Sequence, residues 1–167
     1  MSSKRVLFQH VGLSVTNLEL AISFYKNVFG LYKLVEPKKN YCSEEMIRKR
    51  RKDIFGSKMK EVKVANLLTG NGIGVELFEF KKPKAVMRKK NFEYWKSGIF
   101  HISFTVENLE KTIEKIKRNK GKVISKVWQL FPGCKIVYCQ DPFGNVFELL
   151  NCTYNEMVTE KLNNKYS

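Results

Sequence analysis

Sliding the sequence by 91 positions lays His10 on His101, and this internal repeat restricts the chain to a fold built twice. Residues 10–30 then overlay residues 101–121 with eight identities in 21 positions: His10, Val15, Asn17, Leu18, Glu19, Ile22, Lys26 and Gly30. Roughly one or two would coincide at ordinary residue frequencies. Other pairs are like for like, such as Val11 with Ile102 and Leu13 with Phe104. A tandem duplication is the simplest account.

Each copy reads alike. An alternating strand opens it (10–15, 101–106), and Asn17 or Asn108 then supplies a short side-chain oxygen to cap a helix. Leu18, Ile22, Phe24 or Tyr25, and Phe29 give the first helix its apolar face; Leu109, Ile113 and Ile116 serve the second. Gly30 and Gly121 are expected to end the helices in the left-handed conformation. Strands are expected next at 32–36 and 122–127, then at 63–68 and 73–80, and at 134–139 and 146–150. Thr69-Gly70-Asn71-Gly72 and Asp141-Pro142-Phe143-Gly144-Asn145 are credible turns between the last two strands. Strand, helix and three strands, twice over, is an α+β fold of two βαβββ modules. The first copy carries about nineteen extra residues, because its last strand lies 72 rather than 91 positions from its partner. The expected division is a first module over 1–80 with an insertion at about 37–60, a basic linker over 81–97, a second module over 98–152, and a polar tail over 153–167. The insertion holds a polar helical stretch, Ser43 to Ile54. The tail is expected to be a loose helix or disordered.

At 167 residues the chain can bury one ordinary core. No apolar run reaches eighteen residues, so no membrane span is expected. The first residues lack the apolar centre of a secretory signal, which points to the cytoplasm. Cys42, Cys134, Cys139 and Cys152 form no C-x-x-C pair, so reduced thiols are expected, with neither a zinc finger nor a disulfide framework. The net charge is +15, with basic clusters at 48–52 and 81–90. Lysine outnumbers arginine 25 to 6 and is spread along the chain, whereas base and phosphate recognition favours arginine forks. That distribution argues against nucleic acid as a partner and suits attraction of a small anionic substrate.

The chain has two histidines, and both open the first strand of a repeat. Strand alternation puts Val11, Leu13 and Val15 on one face and His10, Gly12 and Ser14 on the other; the second copy matches, with Ile102, Phe104 and Val106 against His101, Ser103 and Thr105. The apolar face must pack on the helix, leaving the histidine face lined by small residues. The last strand of each copy carries an acid within an apolar run: Glu76 in Gly74-Val75-Glu76-Leu77-Phe78, and Glu148 in Val146-Phe147-Glu148-Leu149-Leu150. A carboxylate within a sheet is costly unless paired or bound to metal. One strand histidine, or one strand glutamate beside another acid such as Glu79, is usually structural. The two-by-two symmetry shifts the balance to metal binding by His10, Glu76, His101 and Glu148. Imidazole with carboxylate suits one divalent Zn, Ni, Co, Fe or Mn ion with positions left open.

The histidine-opened strand, the capped helix ending in Phe29-Gly30, the apolar-Glu-Leu-apolar strand, and the Asp141-Pro142-Phe143-Gly144-Asn145 turn before Glu148 resemble the vicinal-oxygen-chelate superfamily over residues 6–152. That group includes glyoxalase I, methylmalonyl-CoA epimerase, extradiol dioxygenases, and fosfomycin and bleomycin resistance proteins. The resemblance implies an eight-stranded, cup-shaped mixed sheet with helices on its outer face, around one metal held by the same four residues. It implies a homodimer and a substrate chelated through neighbouring oxygens. The two-His, two-Glu set is similar to that of bacterial-type glyoxalase I. The implied proton-moving base is Glu148, with Glu76 the alternative. The insertion is either a lid, with Tyr41, Arg48, Arg51 and Phe55 reaching the substrate, or a solvated rim helix. Trp95, Trp128, Phe131 and Tyr138 either line the pocket or, the better expectation for each alone, fill the core. Three functions follow: a metal-dependent lyase, isomerase or epimerase of glyoxalase type; an Fe(II) extradiol-type dioxygenase; or a metal-free drug-binding resistance protein.

Overall fold

The computed structural model describes residues 6–34 and 43–163. Contacts divide them into two compact units, one holding the first module through Met87, the other holding Asn27–Phe29 and Arg88 onward.

In the first unit β1 (His10–Ser14) pairs parallel with β4 (Gly74–Lys82), β4 pairs antiparallel with β3 (Glu61–Leu68), and β3 pairs with β2 (Tyr32–Lys33). Helix α1 (Leu18–Phe29) lies between β1 and β2 in sequence, and α2 (Glu44–Phe55) between β2 and β3. Asn17 caps α1 as its sequence predicts, accepting from the Leu20 N–H, and Gly30 closes it with φ 68°. Leu18, Ala21, Phe24 and Tyr25 of α1 are buried, as are Ala65, Leu67, Val75 and Leu77 of the sheet. Glu79, on the same strand face as Val75 and Leu77, accepts the Leu18 N–H at 3.3 Å, which fixes the start of α1 over that face. A carboxylate at a helix N-terminus is favoured by the helix dipole. Lys81 donates to the same carboxylate and is the main cause of its pKa lying below the ordinary glutamate value.

In the second unit β5 (Ile102–Thr105) pairs parallel with β9 (Val146–Leu150), β9 antiparallel with β8 (Cys134–Gln140), and β8 with β6 (Lys122–Val123). Helix α3 (Leu109–Arg118) is capped by Asn108 and buries Leu109, Thr112 and Ile116. Phe29 stacks on Phe104 and meets Phe147 edge-on, with centroids 4.3 and 5.3 Å apart.

Several expectations need correction. Among the described residues the strands form two sheets, of four and five, and one strand was not expected: β7 (Trp128–Phe131) adds to β8 through a turn at Gly133, whose φ is 89°. The strand expected over 122–127 stops at Val123, where the Ser125 hydroxyl replaces the ladder by accepting the Tyr138 N–H at 2.9 Å. Gly121 does not supply the left-handed residue after α3; Lys120 does, at φ 67°, because the Asn119 side-chain amide caps the Lys115 carbonyl and ends the helix earlier. The tail forms a helix, α4 (Tyr154–Asn163), begun by a reciprocal cap: the Thr153 N–H donates to the Glu156 carboxylate and the Glu156 N–H to the Thr153 hydroxyl.

The expectation of reduced thiols is overturned for two cysteines. Cys134 and Cys152 are disulfide-bonded, with Cα atoms 5.6 Å apart. The β8–β9 register that sets Ile136 opposite Leu150 brings Cys134 opposite Cys152 when continued two residues. Cys139 is free and buried, and burial pushes its thiol up to about 12.

Candidate metal centre

In each unit the first and last strands are parallel neighbours, so the open-face side chains of the two strands meet. His10 Nε2 lies 3.4 Å from Glu76 Oε2, and His101 Nε2 lies 3.8 Å from Glu148 Oε2. In register Gly12 stands beside Glu76 and Ser103 beside Glu148, small residues that leave the carboxylates room. Two ligands at about 2.0–2.2 Å from one ion, subtending about 90–110°, stand about 3–3.5 Å apart. The first pair meets that span and the second lies just outside it. The donor set, imidazole with carboxylate and no thiolate, fits Zn, Ni, Co, Fe or Mn. Among the described residues no group of three or more His, Cys, Asp or Glu stands together, so each unit is described as a pair.

The two pairs are furnished differently. His10 and Glu76 have side chains 43% and 34% exposed, while His101 and Glu148 are at 26% and 11%. His10 Nδ1 meets Gln9 Oε1 at 2.9 Å, a contact that fixes the orientation of the ring with Nε2 toward Glu76. Sequence reading did not single out Gln9, since a polar residue beside a strand histidine carries no distinctive signal. His101 Nδ1 is buried without a hydrogen-bond partner among the described residues.

Tyr138 is the one expected substrate contact that reaches a pair. It stands opposite Glu148 across the β8–β9 ladder, and its ring meets the His101 ring edge-on at 5.4 Å. Burial, then the hydrogen bond to Glu148, raises its hydroxyl to about 12, so it stays a neutral donor. The first unit has Asn66 at the matching place, opposite Glu76.

The other expected contacts are dispersed. Tyr41 lies outside the described residues. Arg51 is exposed on α2, one turn before Phe55. The Phe55 ring packs on Phe78 and Phe80 of β4, at 6.1 and 5.4 Å, on the strand face that carries Glu76. Arg48 is exposed on the same helix. Trp95 and Trp128 are 66% and 61% exposed, which corrects the expectation that they fill the core. Phe131 is half-buried at the end of β7.

A sequence profile of the Glyoxalase/Bleomycin resistance protein/Dioxygenase superfamily matches residues 7–149. The chain belongs to this superfamily, and the two βαβββ modules are its fold. Solved structures agree. A glyoxalase family protein from Bacillus cereus is 20% identical, with 90% of this chain and 97% of that one covered and a TM-score of 0.70. A glyoxalase/dioxygenase from Nostoc punctiforme is 23% identical, with 89% and 97% covered and a TM-score of 0.60. The fosfomycin resistance protein FosX of Listeria monocytogenes, complexed with Mn(II) and sulfate ion, is 14% identical, with 95% and 98% covered and a TM-score of 0.56. No curated protein sequence matches. No helix among the described residues is long and apolar enough to cross a membrane.

Proposed function

We propose that the protein is a metal-dependent enzyme of glyoxalase type, and that His10, Glu76, His101 and Glu148 are the ligands of one divalent cation. The observation that carries this is the repeated pair: in both units an imidazole Nε2 and a carboxylate oxygen from neighbouring parallel strands face each other within 4 Å. Duplication explains the repeat, and both copies have kept the imidazole and the carboxylate within reach of each other. The Mn(II) bound in FosX supports a divalent ion in this fold.

A cation on these ligands supplies Lewis acidity, lowering the cost of negative charge on a chelated substrate oxygen. The chain's own residues then hold and move the proton. Glu148 is the base of choice over Glu76. Its carboxylate is the better shielded from water, and Tyr138 opposite it in the ladder stays a neutral donor. Gln9 orients His10. The charge of +15 draws in a small anionic substrate rather than a nucleic acid. On the same reading the protein acts as a homodimer in the cytoplasm.

The test is solvent-deuterium incorporation, by proton NMR, into a panel of α-hydroxy- and α-keto-carbonyl compounds with Mn-, Ni- or Zn-loaded protein. Exchange at carbon in at least one compound is expected, lost in Glu148→Gln even at metal concentrations high enough to saturate the weakened site. Exchange unchanged in that variant overturns the role of Glu148. Oxygen consumption by Fe(II)-loaded protein, without exchange, would overturn the lyase or isomerase reading in favour of dioxygenase chemistry.

A further inference from the structure

Helix α2 carries the basic run of the insertion, and the metal centre gives that run no task. Three of the chain's six arginines, Arg48, Arg50 and Arg51, fall within four consecutive residues of it. No residue of α2 is buried. Its Phe55 ring packs on Phe78 and Phe80, which docks the last turn on β4. Met46 and Ile54 are left 59% and 62% exposed. A short helix ordinarily gains its stability by burying an apolar face, and this one leaves two large apolar side chains in water. Their neighbours on the helix surface are basic. Ile54 stands one turn after Arg50 and Arg51, and Met46 one turn before Lys49 and Arg50. Met46, Arg50 and Ile54 recur at four-residue steps and make one row, about 12 Å long. Glu45 lies on the side of the helix away from Ile54 and is taken up by Lys49 at 2.8 Å. Arg48, Arg50, Arg51 and Lys52 have no ion-pair partner among the described residues.

We propose that α2 is a docking surface for an anionic lipid membrane, with the row Met46, Arg50 and Ile54 lying in the headgroup layer. Guanidinium forks match lipid phosphates and carboxylates. Arginine stems cover apolar surface while their heads stay with the headgroups, which lets Met46 and Ile54 enter the interface beside them. A convex helix with apolar tips fits a soft, flat surface. A nucleic-acid backbone or an acidic peptide answers the charge and leaves both apolar side chains in water. Two such side chains do not anchor a protein alone. The attachment is therefore reversible and set by lipid charge, each basic side chain strengthening it about fivefold. Nothing in it requires a metal, so it is tested separately from the function proposed above.

The test is flotation of the full chain with vesicles of phosphatidylcholine, alone or with about 30% phosphatidylserine, in about 0.1 M salt. Binding to the anionic vesicles is expected to exceed binding to the neutral ones by about tenfold or more, and to be lost in about 0.5 M salt. Arg50→Glu with Arg51→Glu is expected to weaken it about 100-fold, and Met46→Ser with Ile54→Ser about tenfold. Lys89→Glu with Lys90→Glu changes the net charge as much as the arginine pair does and is expected to cost less than about threefold. All six side chains are exposed, so each variant should keep the wild-type circular-dichroism melt, which separates loss of binding from loss of fold. An equal loss in the lysine pair overturns the proposal in favour of general attraction by the charge of +15. Full binding without Met46 and Ile54 removes the apolar row from the interface and overturns it too. So does failure to float with anionic vesicles, and α2-dependent binding of labelled polyuridylate or polyglutamate would then name the other partner.

Discussion

The two His–Glu pairs descend from one duplicated module, yet their surroundings have diverged. The first is open, with His10 oriented by a neighbouring glutamine and Glu76 facing Asn66 across the ladder. The second is enclosed: Glu148 is 11% exposed, is bonded by Tyr138, and has the rings of Phe100 and Tyr138 against its histidine. Duplication preserved the imidazole and the carboxylate in both units, and it did not preserve their surroundings. A shielded carboxylate with a neutral donor suits proton transfer, while an exposed pair suits holding the ion.

Removing a ligand is expected to do most. His101→Ala and Glu148→Gln should each weaken binding of Mn(II) or Zn(II) by about 100-fold or more, measured by competition with a chromophoric chelator. If the comparison is right, His10→Ala does the same to the metal while Glu76→Gln spares more of the proton exchange than Glu148→Gln. Equal losses of exchange in the two glutamate variants would erase the proposed division of labour. The orienting residues come next. Tyr138→Phe and Gln9→Ala are each expected to cost about tenfold, the first in exchange rate and the second in metal affinity. A reversal of that assignment would break the comparison most informatively.

Structural effects are smaller. Glu79→Gln should lower stability by about 1–3 kcal/mol in urea unfolding, since the helix-capping carboxylate and its bond from Lys81 are both weakened. Because the pKa of Glu79 is lowered on folding, its contribution is present above the ordinary glutamate value of 4.5 and is lost as pH falls below it. The stability difference between wild type and Glu79→Gln should therefore shrink toward zero in acid. Least disruptive is thiol labelling: Cys139 should resist iodoacetamide in the native protein at neutral pH, and reduction of oxidised, unfolded protein should add two thiols, Cys134 and Cys152.

The duplication, the capped helix after each opening strand and the orientation of each histidine were legible because they rest on period and repetition. The faces of the first strand followed from alternation alone: Val11, Leu13 and Val15 are more covered than His10, Gly12 and Ser14. Features set by tertiary register were not legible. Cys134 and Cys152 meet only once β8 and β9 are paired, and a separation of eighteen positions gives no local sign of it. Glu79 read as a reason to doubt Glu76, whereas it faces the opposite side and serves α1. The linker read as a run of lysines. Its anchoring by Asn91, which donates to the Phe143 carbonyl at 3.3 Å, depends on Gly144, more than fifty residues away, and a single glycine in a turn does not announce a neighbour.

The central claim is tested most directly by the metal content of purified, reconstituted protein. One divalent ion per chain is expected, falling below about a tenth in His10→Ala and equally in His101→Ala. Two ions per chain, or one that survives removal of either histidine, would show that the pairs do not share a cation.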